Sequence, residues 1–144
     1  MKRRNILLVE DNLAHVRLIR EAFKESQLVH ETVAVKDGVE ALEYLRQQGK
    51  YACAKLPDAI LLDLNLPRKD GREVLAELKS DPNLQHIPVL VLTTSNNERD
   101  IRESYKLHAN CYIQKPQNLH QLFSVVDIIQ KFWMETVTLP SESI

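Results

Sequence analysis

Five short apolar runs punctuate the chain at residues 6–9, 32–35, 59–62, 89–92 and 111–113, and between them apolar residues recur at helical spacing. Residues 59–62 and 89–92 contain no polar side chain, as strands of a parallel sheet covered on both faces require. The first intervening segment, 13–26, puts Val16, Ile19 and Phe23 on one helical face. The second, 39–48, carries Val39, Leu42 and Leu45 and is stopped by Gly49. A third helix opens after Asp70-Gly71, holds Val74, Leu75 and Leu78, and ends before Asp81-Pro82, because the residue preceding a proline avoids helical geometry. Further helices are predicted over 98–107 and 119–133, with a tail at 134–144. Strand–helix alternation repeated five times, with right-handed crossovers, predicts an α/β fold: a doubly wound five-stranded parallel sheet flanked by five helices.

Such sheets bind ligands at the carboxyl ends of their strands, where the strand order reverses. The residues that follow the runs are therefore the candidates: Glu10 and Asp11, Asp63, Thr93, and Lys115. Three carboxylates converging on one crevice repel one another, by about 4 kcal/mol for a pair at about 4 Å and an effective dielectric near 20. A divalent cation relieves that repulsion. Hard oxygen ligands suit Mg²⁺ better than zinc, for which the chain offers no His/Cys cluster. A carboxylate beside Mg²⁺, with a lysine and a threonine hydroxyl aimed at the same point, is suited to in-line phosphoryl transfer, with Asp63 as nucleophile. Each residue alone has an ordinary reading: Glu10-Asp11 or Thr93-Thr94-Ser95 as helix caps, Asp63 as a turn residue, Lys115-Pro116 as a loop. The phosphoryl-transfer reading accounts for all of them at once.

Composition narrows the picture further. With 144 residues, 44% hydrophobic and 27% charged, the chain reads as one soluble domain, and a second large domain is excluded. Nineteen Lys+Arg against twenty Asp+Glu, without a sustained basic stripe, argue against nucleic acid as a partner. The run at 6–9 is too short for a signal-peptide core or a membrane span, so a cytoplasmic protein is expected. Residues 1–4 form a short basic start, expected to be solvated. Cys53 and Cys111 match no metal-ligand or redox spacing and are assigned no chemistry.

The segments Val9-Glu10-Asp11, Leu61-Leu62-Asp63-Leu64-Asn65-Leu66-Pro67-Arg68-Lys69-Asp70-Gly71, Val91-Leu92-Thr93-Thr94-Ser95 and Tyr112-Ile113-Gln114-Lys115-Pro116 together resemble the receiver domain of bacterial two-component response regulators. The resemblance implies that Asp63 accepts a phosphoryl group from a phosphohistidine on a sensor kinase. It implies that Mg²⁺ is bound by Asp11, Asp63 and the backbone carbonyl of Asn65, with Glu10 acting through water. Lys115 would pair with the phosphoryl oxygens. Thr93 would turn its hydroxyl onto the phosphate and Tyr112 would follow it inward, changing the surface made by the fourth helix, fifth strand and fifth helix. Thr94 and Ser95 depart from the choices common in other members. Residues 104–113 and 132–140 are similar to the small response regulators paired with cyanobacterial phytochromes. That similarity implies a light-sensing histidine kinase as phosphodonor, a homodimer, and no attached DNA-binding domain.

In the last predicted helix Leu119, Leu122, Phe123, Val126, Ile129 and Trp133 form one stripe, and Val125, Ile128 and Phe132 widen it to an arc of roughly 220°. A helix lying on a sheet needs only part of that arc. A homodimer interface through Val125, Ile128, Phe132 and Trp133 is expected. The division is then a receiver domain over 1–133 and an extension over 134–144 that takes part in the interface through Val137-Thr138-Leu139. The other reading has the tail folding back over Val125, Ile128 and Phe132. A haloacid-dehalogenase-type phosphatase is the alternative function, since those enzymes also place a nucleophilic Asp at a strand end. They need a second Asp two positions later as general acid, where this chain has Asn65.

Overall fold

All five apolar runs are strands of one sheet in the computed structural model, which describes residues 4–140 with the side chain of His30 excepted. The expectations for residues 1–3, and for 141–144 of the tail, lie outside the described residues. The chain runs β1 (Arg4–Val9), α1 (Leu13–Glu25), β2 (Val29–Val35), α2 (Gly38–Leu45), β3 (Ala59–Leu62), α3 (Gly71–Ser80), β4 (Val89–Thr93), α4 (Glu98–Lys106), β5 (Cys111–Gln114) and α5 (Leu119–Ile129). The strands are all parallel, in the order β2-β1-β3-β4-β5. The order reverses between β1 and β3.

Alternation along each strand divides the interior in two. Leu7, Val9, Ile60, Leu62, Val89 and Val91 face the core beneath α2 and α3. Ile6, Leu8, Ala59, Leu61, Leu90 and Leu92 face the core beneath α1 and α5, where Ile19, Phe23, Leu122, Val126 and Ile129 meet them. Both faces of these strands are covered, which is why residues 6–9, 59–62 and 89–92 carry no polar side chain. The fourth helix is the exception, burying only Ser104.

Local chemistry moves several expected boundaries. Arg4 is not solvated: it is the buried first residue of β1, and its amide donates to the Leu28 carbonyl at 2.9 Å. Pairing with β1 extends β2 back to Val29. Helix α2 stops at Leu45 rather than Gln48 because Gln47 turns into the left-handed region at φ 55°, and a 3₁₀ turn follows at Gly49–Tyr51. The last helix does not stop at Trp133. It widens into a π-helical turn over Gln130–Thr136, closed by a Val137 amide donating to the Phe132 carbonyl at 2.8 Å.

That wider turn decides where the tail goes. Met134 is buried in the same core as Leu122 and Ile129, and Leu139 is fully buried. Trp133 packs partly against this core and edge-on to Phe132, their ring centroids 5.9 Å apart. Ile128 and Phe132 stay 65% and 52% exposed, so the described part of the tail does not cover them. Leu119, expected in the buried stripe, is exposed as the first residue of α5, next to its capping residue Asn118.

Candidate functional site

Sheet register aligns the strand ends. Val9 pairs with Leu62, so Glu10 and Asp63 are the next residues of adjacent strands, and the Asp63 amide donates to the Val9 carbonyl at 3.1 Å. Thr93 pairs with Gln114, and the Lys115 amide donates to the Thr93 carbonyl at 2.6 Å. Glycine at 71 lets α3 start close beneath this edge. Its amide donates to the Leu64 carbonyl, and a Cβ there would lie 2.2 Å from the Asp63 carbonyl oxygen and 2.6 Å from the Leu64 Cα.

The capping role proposed as the ordinary reading falls to other residues. Asn12 accepts from the Ala14 and His15 amides at the start of α1, and Asn97 accepts from the Arg99 amide at the start of α4. Glu10, Asp11 and Thr93 are thereby left for the crevice. For Asp63 both readings hold, since its Oδ1 accepts from the Asn65 amide at 3.1 Å in a turn.

One oxygen from each of Glu10, Asp11 and Asp63 lies within 4.8 Å of the others, with Glu10 and Asp63 buried and Asp11 exposed. Lys115, only 3% exposed, sits against this group: its Nζ donates to Glu10 Oε1, to Asp63 Oδ2 at 3.0 Å, and to His15 Nδ1 at 3.1 Å. The second Glu10 oxygen accepts from the Asn12 amide at 3.1 Å. One ammonium against three carboxylates leaves two formal negative charges uncompensated, which matches a divalent cation in charge as the all-oxygen donor set matches a hard one. Burial raises the Glu10 carboxyl above its ordinary range, against the pull of Lys115. Burial, followed by the Lys115 charge, lowers the His15 imidazole.

Thr93 is fully buried, and its Oγ1 accepts from the Ser95 amide at 3.5 Å. The half-buried Tyr112 donates its hydroxyl to the Ser95 carbonyl at 2.9 Å. Asn65 is exposed beside Asp63. Of the expected interface residues, Val125 and Trp133 are half-buried within the domain, while Ile128 and Phe132 point outward.

Sequence reasoning missed two parts of this neighbourhood. His15 lies four residues beyond Asp11 in the first turn of α1, a nearness to the crevice that was readable once α1 was assigned. Arg72 and Asp100 had no such signal. They pair at 2.7 Å between the first turns of α3 and α4, and Asp100 accepts from the Ser95 hydroxyl.

A parallel sheet of this strand order, with an acidic cluster and a buried lysine at its switch point, defines the receiver class of signalling domain. The chain belongs to the response regulator receiver domain family, which matches residues 6–127. It is 56% identical over 136 residues to response regulator Rcp1 of Synechocystis, covering 94% of this chain and 92% of that one. Its fold superposes with a TM-score of 0.94 on the phosphorylated cyanobacterial phytochrome response regulator RcpA, at 62% identity over 96% of this chain and 99% of that one. The Mn²⁺-bound form of Rcp1 matches with a TM-score of 0.92 at 55% identity, covering 95% and 99% of the two chains. The chain is thus a response regulator receiver domain similar to those of cyanobacterial phytochromes, and the haloacid-dehalogenase alternative is set aside. Among the described residues no helix is long and apolar enough to cross a membrane.

Proposed function

We propose that this receiver takes a phosphoryl group from the phosphohistidine of a sensor histidine kinase, a phytochrome by similarity to RcpA, onto Asp63. The observation that carries this reading is the Asp63 carboxylate, buried within 4.8 Å of two further carboxylates and hydrogen-bonded to Lys115. One Asp63 oxygen attacks phosphorus as the P–N bond to the donor imidazole breaks. Glu10, Asp11, Asp63 and the Asn65 backbone carbonyl are the residues that would hold Mg²⁺. Bound there, the cation neutralises the carboxylates and the charge on the transferred group. The Lys115 ammonium leaves Asp63 for the phosphoryl oxygens, and the Thr93 hydroxyl turns toward them, taking Tyr112 with it. The domain promotes its own phosphorylation and hydrolysis rather than turning over a substrate pool.

Output passes through a changed surface of α4, β5 and α5 in a cytoplasmic homodimer. The outward-facing Ile128 of α5 and Phe132 of the turn after it support this end of the last helix as the dimer face, with the half-buried Val125, Trp133 and Val137 beside them, whereas Leu139, expected in the interface, is buried in the domain's own core. Intact mass after incubation with acetyl phosphate and Mg²⁺ tests the central step. One added phosphoryl group on wild type, absent from Asp63→Asn and removed by hydroxylamine, is the expected result. Phosphorylation of Asp63→Asn to the same extent would overturn it.

A further inference from the structure

The Lys115 ammonium has three protons to donate, and among the described residues it has three acceptors: Glu10, Asp63 and His15. Two of these are carboxylates of the acidic cluster, and their claim on the lysine ends when a cation and a phosphoryl group take their oxygens. The third is of another kind. An ammonium only donates, so His15 Nδ1 meets it with a lone pair, and the ring proton is on Nε2. That nitrogen belongs to a helix whose first turn is pinned by Asn12, which accepts from the His15 amide at 3.2 Å. Nδ1 lies 3.9 Å from the nearest Glu10 oxygen, beyond hydrogen-bond reach, so the lysine is its polar partner in the site.

We infer that His15 is a positioning residue for Lys115: its Nδ1 holds the ammonium over the crevice while Glu10 and Asp63 exchange the lysine for cation and phosphoryl oxygens. The role in phosphorylation rests on the function proposed above; the hydrogen bond itself does not. A lysine chain has four rotatable carbons, and one fixed neutral acceptor keeps its charge at the reacting group without competing for the cation as a carboxylate would. The sequence signal is a histidine four residues after Asp11, in the first turn of α1.

Two measurements test this. In protein labelled with ¹⁵N-histidine and saturated with Mg²⁺, the His15 Nδ1 resonance is expected at the position of a hydrogen-bonded acceptor, moving toward that of a free imidazole in Lys115→Met. An Nδ1 resonance identical in the two proteins would overturn the inference, whatever the phosphorylation assay shows. In the acetyl phosphate reaction, His15→Ala is expected to lower the limiting rate about tenfold, the scale of one hydrogen bond to a charged group. Its affinity for Mg²⁺ is expected to stay that of wild type. His15→Asn, whose Oδ1 reaches close to the position of Nδ1, should restore most of the rate. An unchanged rate in His15→Ala, equal losses in both variants, or a weakened Mg²⁺ affinity would each overturn the positioning role. A wild-type protein that takes no phosphoryl group would overturn the proposed function, and the histidine resonance would still decide whether His15 holds the lysine.

Discussion

The Ser95 hydroxyl donates to the Asp100 carboxylate at 2.6 Å, joining the loop after β4 to the first turn of α4. Asp100 is in turn gripped by Arg72 of α3, whose Nη1 also reaches both oxygens of Asp70 at 3.0 Å. Because α4 buries only Ser104, these polar contacts substitute for the apolar packing that holds the other helices. Ser95 is also two residues from Thr93, whose Oγ1 accepts from the Ser95 amide, so on the proposed function a turn of the Thr93 hydroxyl would be felt at α4.

Replacing Asp100 with Asn is therefore expected to destabilise the domain by about 1 kcal/mol and to speed amide exchange in α4 ahead of the sheet. The Ser95 hydrogen bond, then Arg72, lowers the Asp100 carboxyl below its ordinary value of 3.8. A lowered folded-state value means the contribution is complete above the ordinary value and is lost as pH falls through the folded one. Urea midpoints of wild type and Asp100→Asn should differ at pH 7 and converge in acid below that ordinary value.

Lys115→Met leaves Glu10 and Asp63 buried without their counter-charge, and a loss of about 3 kcal/mol is expected in metal-free buffer. On the proposed function Mg²⁺ binds the native cluster and not the unfolded chain, so it is expected to raise the wild-type unfolding midpoint. The increment should be larger in Lys115→Met, whose carboxylates lack a competitor, and absent in Asp11→Asn. Thermal scans with and without Mg²⁺ measure all three.

Gly71→Ala should cost about 2 kcal/mol or more, since the added Cβ meets the Asp63 carbonyl at 2.2 Å and neither backbone has room to yield. The displaced Asp63 loop should also weaken Mg²⁺ binding, which titration calorimetry reads directly.

Phe132 is 52% exposed, so Phe132→Glu should leave the monomer's stability within about 0.5 kcal/mol. Light scattering should report half the wild-type molar mass. A wild-type mass in the folded variant would remove this face from the interface.

The two thiols should separate cleanly. Cys53 is exposed, whereas burial pushes the Cys111 thiol up to about 11. Thiolate is the reactive form, so at pH 8 a disulfide reagent should modify Cys53 quickly and reach Cys111 only on unfolding.

Much of the site was open to reading along the chain because a doubly wound sheet converts strand ends into a crevice. Once residues 6–9 and 59–62 are assigned as strands, Glu10, Asp11 and Asp63 have little choice but to meet. The buried contact between Lys115 and Glu10, 105 residues apart, follows from the same logic applied to β5. Periodicity reports which face of an element is buried; it is silent on which side chain of one element touches which of another. His15 reaches Lys115, and Arg72 reaches Asp100, only through the packing of α1 against the site and of α3 beside α4. The end of α5 is a second such case. The widening at Gln130 is a competition between helical spacing and the burial of Met134 and Leu139, and that balance exists only once the rest of the core is in place.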